Sequence, residues 1–186
     1  MTPLLYSLFA LFLLLAAFNS KFFAQIRYTR LIERRMDIAA RMCEAAARDS
    51  FQIELDHTME SLTAFDQLLD TGWSSTRPMT EDTRYVIAAY FGDLFVRECG
   101  ARWSAPRSGN GEPMLEFPKS RVKADPFAII EYKVQLPDAV KLSTIGESLR
   151  ALVEQRSKID WSSSQEESIT FAPQEEATST IDANAP

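Results

Sequence analysis

An uncharged apolar run near the amino terminus, Pro3 to Phe18, limits most strongly what this chain can become. As a helix, its 16 residues rise roughly 24 Å, which is short of the roughly 30 Å hydrocarbon core of a bilayer. The helix reaches the required length if it continues past Lys21, whose long side chain can reach the lipid headgroups, to about residue 26. We therefore predict a transmembrane signal anchor over residues 1–26.

Basic residues follow this run and set its predicted orientation. Between Lys21 and Arg41 there are six basic residues and two acidic ones, and only the α-amine precedes the run. The positive-inside rule then predicts a single-pass protein of the bacterial inner (cytoplasmic) membrane, with its N-terminus outside and its domain in the cytoplasm. The alternative is an exported envelope protein with a cleaved signal, although the start is not basic and the sequence AAFNSK fits a cleavage site poorly.

Residues 27–50 contain neither glycine nor proline, which predicts a basic juxtamembrane helix. One of its faces is basic, and together with the preceding lysine we predict that it binds lipid headgroups, at about 1 kcal/mol per basic residue near the surface. The predicted lipid-binding residues are Lys21, Arg27, Arg30, Arg34 and Arg41. The alternative is a solvated face that only sets the topology. A second face is apolar, with Leu31, Ile38, Met42 and Ala45 at helical spacing. Small residues would allow close packing against another helix, and whether that helix belongs to this chain or to a partner is left open; they are Ala39, Ala40, Ala45, Ala46 and Ala47.

Residues 51–159 have the patterns of a small α+β domain. An apolar stripe predicts a helix from Glu54 to about Trp73, and Thr80 is the predicted N-cap of a second helix that ends at Gly100. Gly92, in the interior of that helix, costs about 1 kcal/mol relative to alanine. Ala88 and Gly92 together predict a flat notch that another backbone approaches, with Trp103 folding back over the end of the helix.

A small antiparallel hairpin is predicted after this helix. The segment ARWSA and the segment PMLEF are separated by a turn cluster that contains Asn110-Gly111. Asp125-Pro126 is a typical helix entry. Residues 127–136 fit either a helix or a strand, and we favour a helix.

Four polar residues form a possible polar site: Asp56, His57, Glu60 and Asp93. The first three would share a wet helix face, and that solvated face is the alternative to a carboxylate-based active site. The sequence contains no Gly-x-Ser-x-Gly, P-loop, HExxH or Rossmann glycine pattern, so we predict no catalytic residue, no metal site and no cofactor.

The chain ends in an acidic segment, residues 160–186, with six acidic residues and no basic ones. The preceding residues contain 20 acidic and 20 basic groups, so the net charge of −6 arises in this tail and gives no case for nucleic-acid binding. We predict that the tail is disordered. Trp161 and Phe171 are its candidate partner-binding residues, and an inert solubilising tail is the alternative.

The segments SL…FDQLLD, AYFGDLFVRECGARW and MLEFPKSRVK together resemble a group of uncharacterised bacterial domains. The likeness extends from about Leu55 to Ala124, and the matching positions are Ser61, Leu62, Asp66, Tyr90, Gly92, Trp103, Pro118 and Lys123. Asp93 stands where that group tends to have Glu, and Ala124 where it tends to have Arg. The resemblance implies a compact α+β fold and assigns no activity.

Together these patterns predict a membrane-anchored, non-catalytic protein-interaction protein, an adaptor or accessory subunit. Its expected partners are membrane lipid and another membrane or cytoplasmic protein, and we expect no nucleic acid. An enzyme with a carboxylate-based site, or an exported envelope protein, is the alternative.

Overall fold

The computed structural model describes residues 3–72, 79–105, 111–136, 140–159, 161 and 168–171, with side chains from residue 26 onward. Its elements in chain order are α1 (Pro3–Phe51), α2 (Ser61–Gly72), α3 (Glu81–Cys99), β1 (Arg102–Ser104), β2 (Met114–Phe117), β3 (Val122–Ala124), α4 (Pro126–Gln135), α5 (Leu142–Ser157) and β4 (Ile169–Phe171). The predicted α+β class is confirmed, and residues 127–135 are helical as favoured.

A single helix, α1, joins the predicted anchor to the domain, because its 49 residues continue from Pro3 to Phe51 without a break. Such a helix is about 73 Å long. Within the residues whose side chains are described, no helix is long and apolar enough to cross a membrane. The predicted anchor lies almost entirely before those residues, so it stays a prediction.

The centre of the fold is α3. All nine residues from Ile87 to Phe95 are buried, which is the pattern of a helix surrounded by other elements rather than of a surface helix. One side of α3 packs against α1, where Ala39 and Ala40 allow close approach, and another packs against α4. Ala39, Ala40 and Ala47 are therefore buried within this chain's own fold, whereas Ala45 is half-buried and Ala46 is exposed.

The ends of α3 and α4 follow the predicted capping chemistry. The Thr80 side chain accepts a hydrogen bond from the Thr83 N–H, and Gly100 closes α3 in the left-handed conformation at φ 66°. Asp125 caps α4 by accepting from the N–H groups of Phe127 and Ala128, and Pro126 occupies the first turn. These caps fix where each helix meets the sheet.

The sheet has four strands in the order β1-β2-β3-β4. The first two pairings are antiparallel, with Trp103 opposite Leu115 and Phe117 opposite Val122. The predicted hairpin is thus present but is part of a larger sheet, and its turn at residues 106–110 lies outside the described residues. The fourth strand pairs in parallel with β3, with Phe171 opposite Ala124.

This fourth strand corrects part of the tail prediction. Ile169–Phe171 is a strand, and two guanidinium groups lie over the Trp161 ring, that of Arg121 at 5.1 Å and that of Arg156 at 4.6 Å from the ring centroid. The Trp161 Nε1–H also donates to the Lys119 carbonyl oxygen at 3.0 Å. The prediction of disorder is therefore wrong for these residues, while residues 172–186 lie outside the described ones.

Candidate functional site

The loop between α1 and α2 departs from the predicted helix. Residues 54–60 are not helical, and α2 begins only at Ser61. The cause is local: the Asp56 carboxylate accepts from the Thr58 N–H at 3.0 Å and from its hydroxyl at 2.7 Å, which offers the backbone a turn instead of a helix. These bonds, the hydroxyl bond foremost, lower the pKa of Asp56.

The next residue, His57, has left-handed backbone geometry at φ 59° and a buried side chain. Its ring lies between carboxylates from two helices. Nε2 is bonded to Glu44 of α1, and Nδ1 lies 3.3 Å from Oδ2 of Asp93 of α3, without the geometry of a hydrogen bond. A non-glycine residue in this conformation costs roughly 1–2 kcal/mol, so these contacts offset a local strain.

An arginine extends this cluster toward the surface. Arg97 Nε donates to Asp93 at 2.8 Å, and the same guanidinium lies 3.8 Å from Asp37 of α1. The buried carboxylate thus has a cationic neighbour one helical turn away. The result is a chain of charges that joins α1 to α3.

Hydroxyl groups complete the cluster through a directed series of bonds. The His57 N–H donates to Tyr90 Oη at 3.2 Å, and Ser61 Oγ donates to the Thr58 carbonyl at 2.7 Å. Because the serine proton is used there, the Tyr90 O–H donates to Ser61 Oγ across their 2.9 Å separation. The loop is thereby bonded to the middle of α3.

The structure brings together only two of the four predicted polar-site residues. His57 and Asp93 are buried in one cluster, whereas Asp56 and Glu60 are exposed. Sequence reasoning missed Glu44 and Arg97 as members. The spacing of four residues between Asp93 and Arg97 could have predicted their ion pair. No sequence pattern predicts the contact between Glu44 and His57, because the two residues lie in different elements. Within the described ranges, no group of three or more His, Cys, Asp or Glu side chains is arranged to hold a metal ion.

The predicted packing of Gly92 needs one correction. A Cβ atom at Gly92 would overlap Cη2 and Cζ2 of the Trp103 ring and would lie 3.3 Å from Cγ of Pro126. Gly92 therefore makes room for a side chain, not for another backbone. Ala88 is fully buried on the same helix. Trp103 does fold back onto α3, but against its interior at Gly92 rather than over its end.

The described part of α1 has an exposed apolar row. Side chains are 47% exposed at Tyr28, 54% at Leu31, 49% at Ile38 and 57% at Met42. Their spacing follows the alternating three and four of a heptad, with Arg35 and Ala45 at the remaining positions. We call the four apolar residues the α1 seam. The helix thus has a second apolar face in addition to the one buried on α3.

Arginines border the seam on one side. Arg27, Arg34, Arg41 and Arg48 recur every seven residues, and all four are exposed; we call them the arginine row. Arg41 also pairs with Asp37 at 3.2 Å. On the other side of the seam, Ile32 and Ala39 lead into the buried face. The seam is therefore a narrow apolar strip with positive charge along one edge.

Lipid contact by the five basic residues stays a prediction. The length of the helix limits how many of them can reach the headgroups. Arg41 lies fourteen residues beyond Arg27, about 21 Å along a continuous helix. The Debye length is about 8 Å at physiological salt. If α1 crosses a membrane, only Lys21, Arg27 and Arg30 therefore lie within reach of its headgroups, and the Lys21 side chain lies outside those described.

Two ionisable groups in the core predict how the protein responds to alkali. Burial raises the pKa of the Cys43 thiol from 9.0 to about 12, and burial also raises the pKa of Tyr90 from 10.0 to about 12. Both groups ionise more readily in the unfolded chain, so their contribution to stability is intact below about pH 9 and is lost as pH rises toward 12.

We expect the urea midpoint of unfolding to fall over this pH range, and to fall less steeply in the Cys43→Ala variant.

The half-buried Cys99 should react with a thiol reagent before Cys43 does. Equal alkylation rates of the two thiols in the native protein would contradict this account.

Comparison with protein-family models, with curated proteins and with solved structures found no match for this chain. The resemblance to uncharacterised bacterial domains therefore stays a prediction. Several residues that it singles out are buried here, among them Ser61, Leu62, Asp66, Tyr90, Gly92 and Trp103.

Proposed function

We propose that this chain is a membrane-anchored, non-catalytic interaction protein that binds another protein through the α1 seam. The observation that supports this most is the seam itself: four large apolar side chains, each about half exposed, in heptad spacing on a helix whose other apolar face is already buried. Soluble domains expose single apolar residues freely, but several large apolar side chains in one row, bordered by charge, are typical of an interaction surface.

The position of the seam supports the same proposal. It begins only a few residues after the predicted anchor and lies on the same continuous helix. A partner in the same membrane would be confined to two dimensions beside it, and such confinement raises the effective concentration of a short binding surface. The proposed location is the bacterial inner membrane, with the domain in the cytoplasm.

The polar cluster supports a structural role rather than an enzymatic one. His57 and Asp93 are buried, and the ring lies between two protein carboxylates, so a substrate has little access to it. The cluster instead holds α1 against α3. This attachment keeps the seam facing outward.

We expect a tagged full-length chain, extracted from native membranes in mild detergent, to co-purify with a protein partner. Leu31→Glu/Ile38→Glu should reduce that recovery by about tenfold or more, because charge enters an interface that must be desolvated. Val134→Glu is the matched control, since Val134 is a 38% exposed apolar residue on α4. Equal recovery with the seam variant and the control variant would contradict the proposed surface.

A further inference from the structure

The partner's chemistry is readable from the residues around the seam. We infer that the α1 seam binds an amphipathic helix of another protein, with acidic side chains on the flank that meets the arginine row. This inference rests on the proposed function and names the kind of partner. Three observations support it: the heptad register of α1, the charges that flank the seam, and the poor fit between two copies of this chain.

The heptad register assigns each residue of the seam to a packing position. Tyr28, Arg35 and Met42 take the first apolar position of successive heptads, and Leu31, Ile38 and Ala45 take the second. These are the positions that insert between the side chains of a facing helix in a coiled coil. A helix is therefore the shape that fits this strip, and Arg35 within it calls for an acidic or polar group opposite.

The flanking positions of a heptad determine which helix pairs with which. In α1 one flank is the arginine row: Arg27, Arg34, Arg41 and Arg48. The opposite flank holds Ile32, Ala39 and Ala46, none of which is charged. An incoming helix therefore meets four cations of α1 on one flank and no charged residue of α1 on the other. Glutamate or aspartate on the partner neutralises them.

The same residues disfavour pairing between two copies of this chain. In a parallel pair the arginine row of one copy lies toward the uncharged flank of the other, where Ile32 and Ala39 are already buried, and in an antiparallel pair one arginine row faces the other. Neither arrangement gives an arginine an acidic partner, and the second places like charges together. A different, acidic chain is the better fit.

The test uses the full-length chain in nanodiscs of neutral phosphatidylcholine and two soluble fluorescent probes. Both probes are designed helices of four heptads with leucine in the seam positions; one has glutamate at every flanking position and the other has lysine. We expect the glutamate probe to bind at least about tenfold more tightly, which corresponds to about 1.4 kcal/mol. This preference should shrink at about 1 M salt, where the Debye length is about 3 Å.

Charge reversal makes the test specific. Arg34→Glu/Arg41→Glu should abolish the preference for the glutamate probe, because the row then holds two arginines and two glutamates. Arg102→Glu/Arg150→Glu, a change of two exposed arginines on β1 and α5, should leave the preference unchanged. Leu31→Glu/Ile38→Glu should abolish binding of both probes. Equal binding of the probes to the unaltered chain would overturn the acidic partner while leaving the co-purification result, and with it the proposed function, intact.

Anionic lipid is the competing ligand for the arginine row. When phosphatidylglycerol is added to the nanodiscs, we expect the glutamate probe to remain bound, because the middle of the seam lies beyond the reach of headgroups. Complete displacement of the probe by that lipid would show that the face lies on the membrane, and would overturn the inference. Self-association of the chain that competes with the probe would overturn it in favour of a second copy.

Discussion

Replacing Trp103 with alanine is expected to lower the free energy of unfolding by about 3–5 kcal/mol, the largest effect of any single change we predict. The Trp103 ring is 2% exposed and lies on the flat surface that Gly92 leaves on α3. Its removal opens a cavity between the central helix and the sheet. Urea denaturation monitored by circular dichroism measures the loss directly.

Gly92→Ala tests the same contact from the other side. Alanine normally stabilises a helix interior by about 1 kcal/mol relative to glycine, yet here its Cβ would overlap the ring of Trp103. We expect a net loss of about 1–3 kcal/mol, as in an overpacked core, rather than the mild effect expected of a position beside backbone.

Gly146→Ala on α5 is the matched control. Its Cβ would overlap only Cδ1 of Leu62, the far end of a flexible side chain, so we expect little change in stability. Trp103→Phe should remove most of the penalty of Gly92→Ala, because the smaller ring lacks the overlapping atoms. An equal penalty for Gly92→Ala in the parent protein and in the Trp103→Phe variant would show that the two residues do not interact.

Asp93→Ala is expected to lower the free energy of unfolding by about 2–3 kcal/mol. The change removes the acceptor of Arg97 at 2.8 Å and one of the two carboxylates beside the buried His57. A hydrogen bond to a charged group contributes about 1.5–3 kcal/mol, and the buried His57 ring also loses a carboxylate 3.3 Å from Nδ1, although the two form no hydrogen bond. The same denaturation experiment measures the effect.

Two further variants separate hydrogen bonding from charge at this position. Asp93→Asn keeps an oxygen for Arg97 and removes only the charge, so we expect a smaller loss than with alanine. Glu147→Ala, at an exposed site on α5, should stay within about 0.5 kcal/mol of the parent protein. An Asp93→Ala variant as stable as the Glu147→Ala variant would refute the role of the cluster in joining α1 to α3.

Local signals predicted much of this fold correctly. The caps at Thr80 and Asp125 depend on residues within three positions of each other, so the sequence contains all the information that the geometry needs. Gly92 together with Trp103 predicted a close approach to α3. The sequence did not show that the group against Gly92 is the Trp103 side chain rather than a backbone segment. That contact depends on the path by which the chain returns to α3 after the helix ends.

The errors arose where distant contacts decide the outcome. Residues 54–60 have helical periodicity, but turn bonds from Asp56 and the burial of His57 against α3 override it. The strand Ile169–Phe171 lies in a polar segment and forms only because β3 offers an edge in parallel register. The His57 cluster joins residues from α1, a loop and α3, and no spacing in the sequence links them.

The central claim, that the α1 seam is covered by another protein, is tested most directly by photo-crosslinking in native membranes. A photoreactive amino acid is placed in turn at Leu31, Ile38 and Met42, and at two exposed controls, Glu33 on the far side of α1 and Val134 on α4. We predict a discrete adduct with a second protein at the three seam positions and none at the controls. Adducts of equal yield at Glu33 and the seam, or no protein adduct at any seam position, would contradict the account.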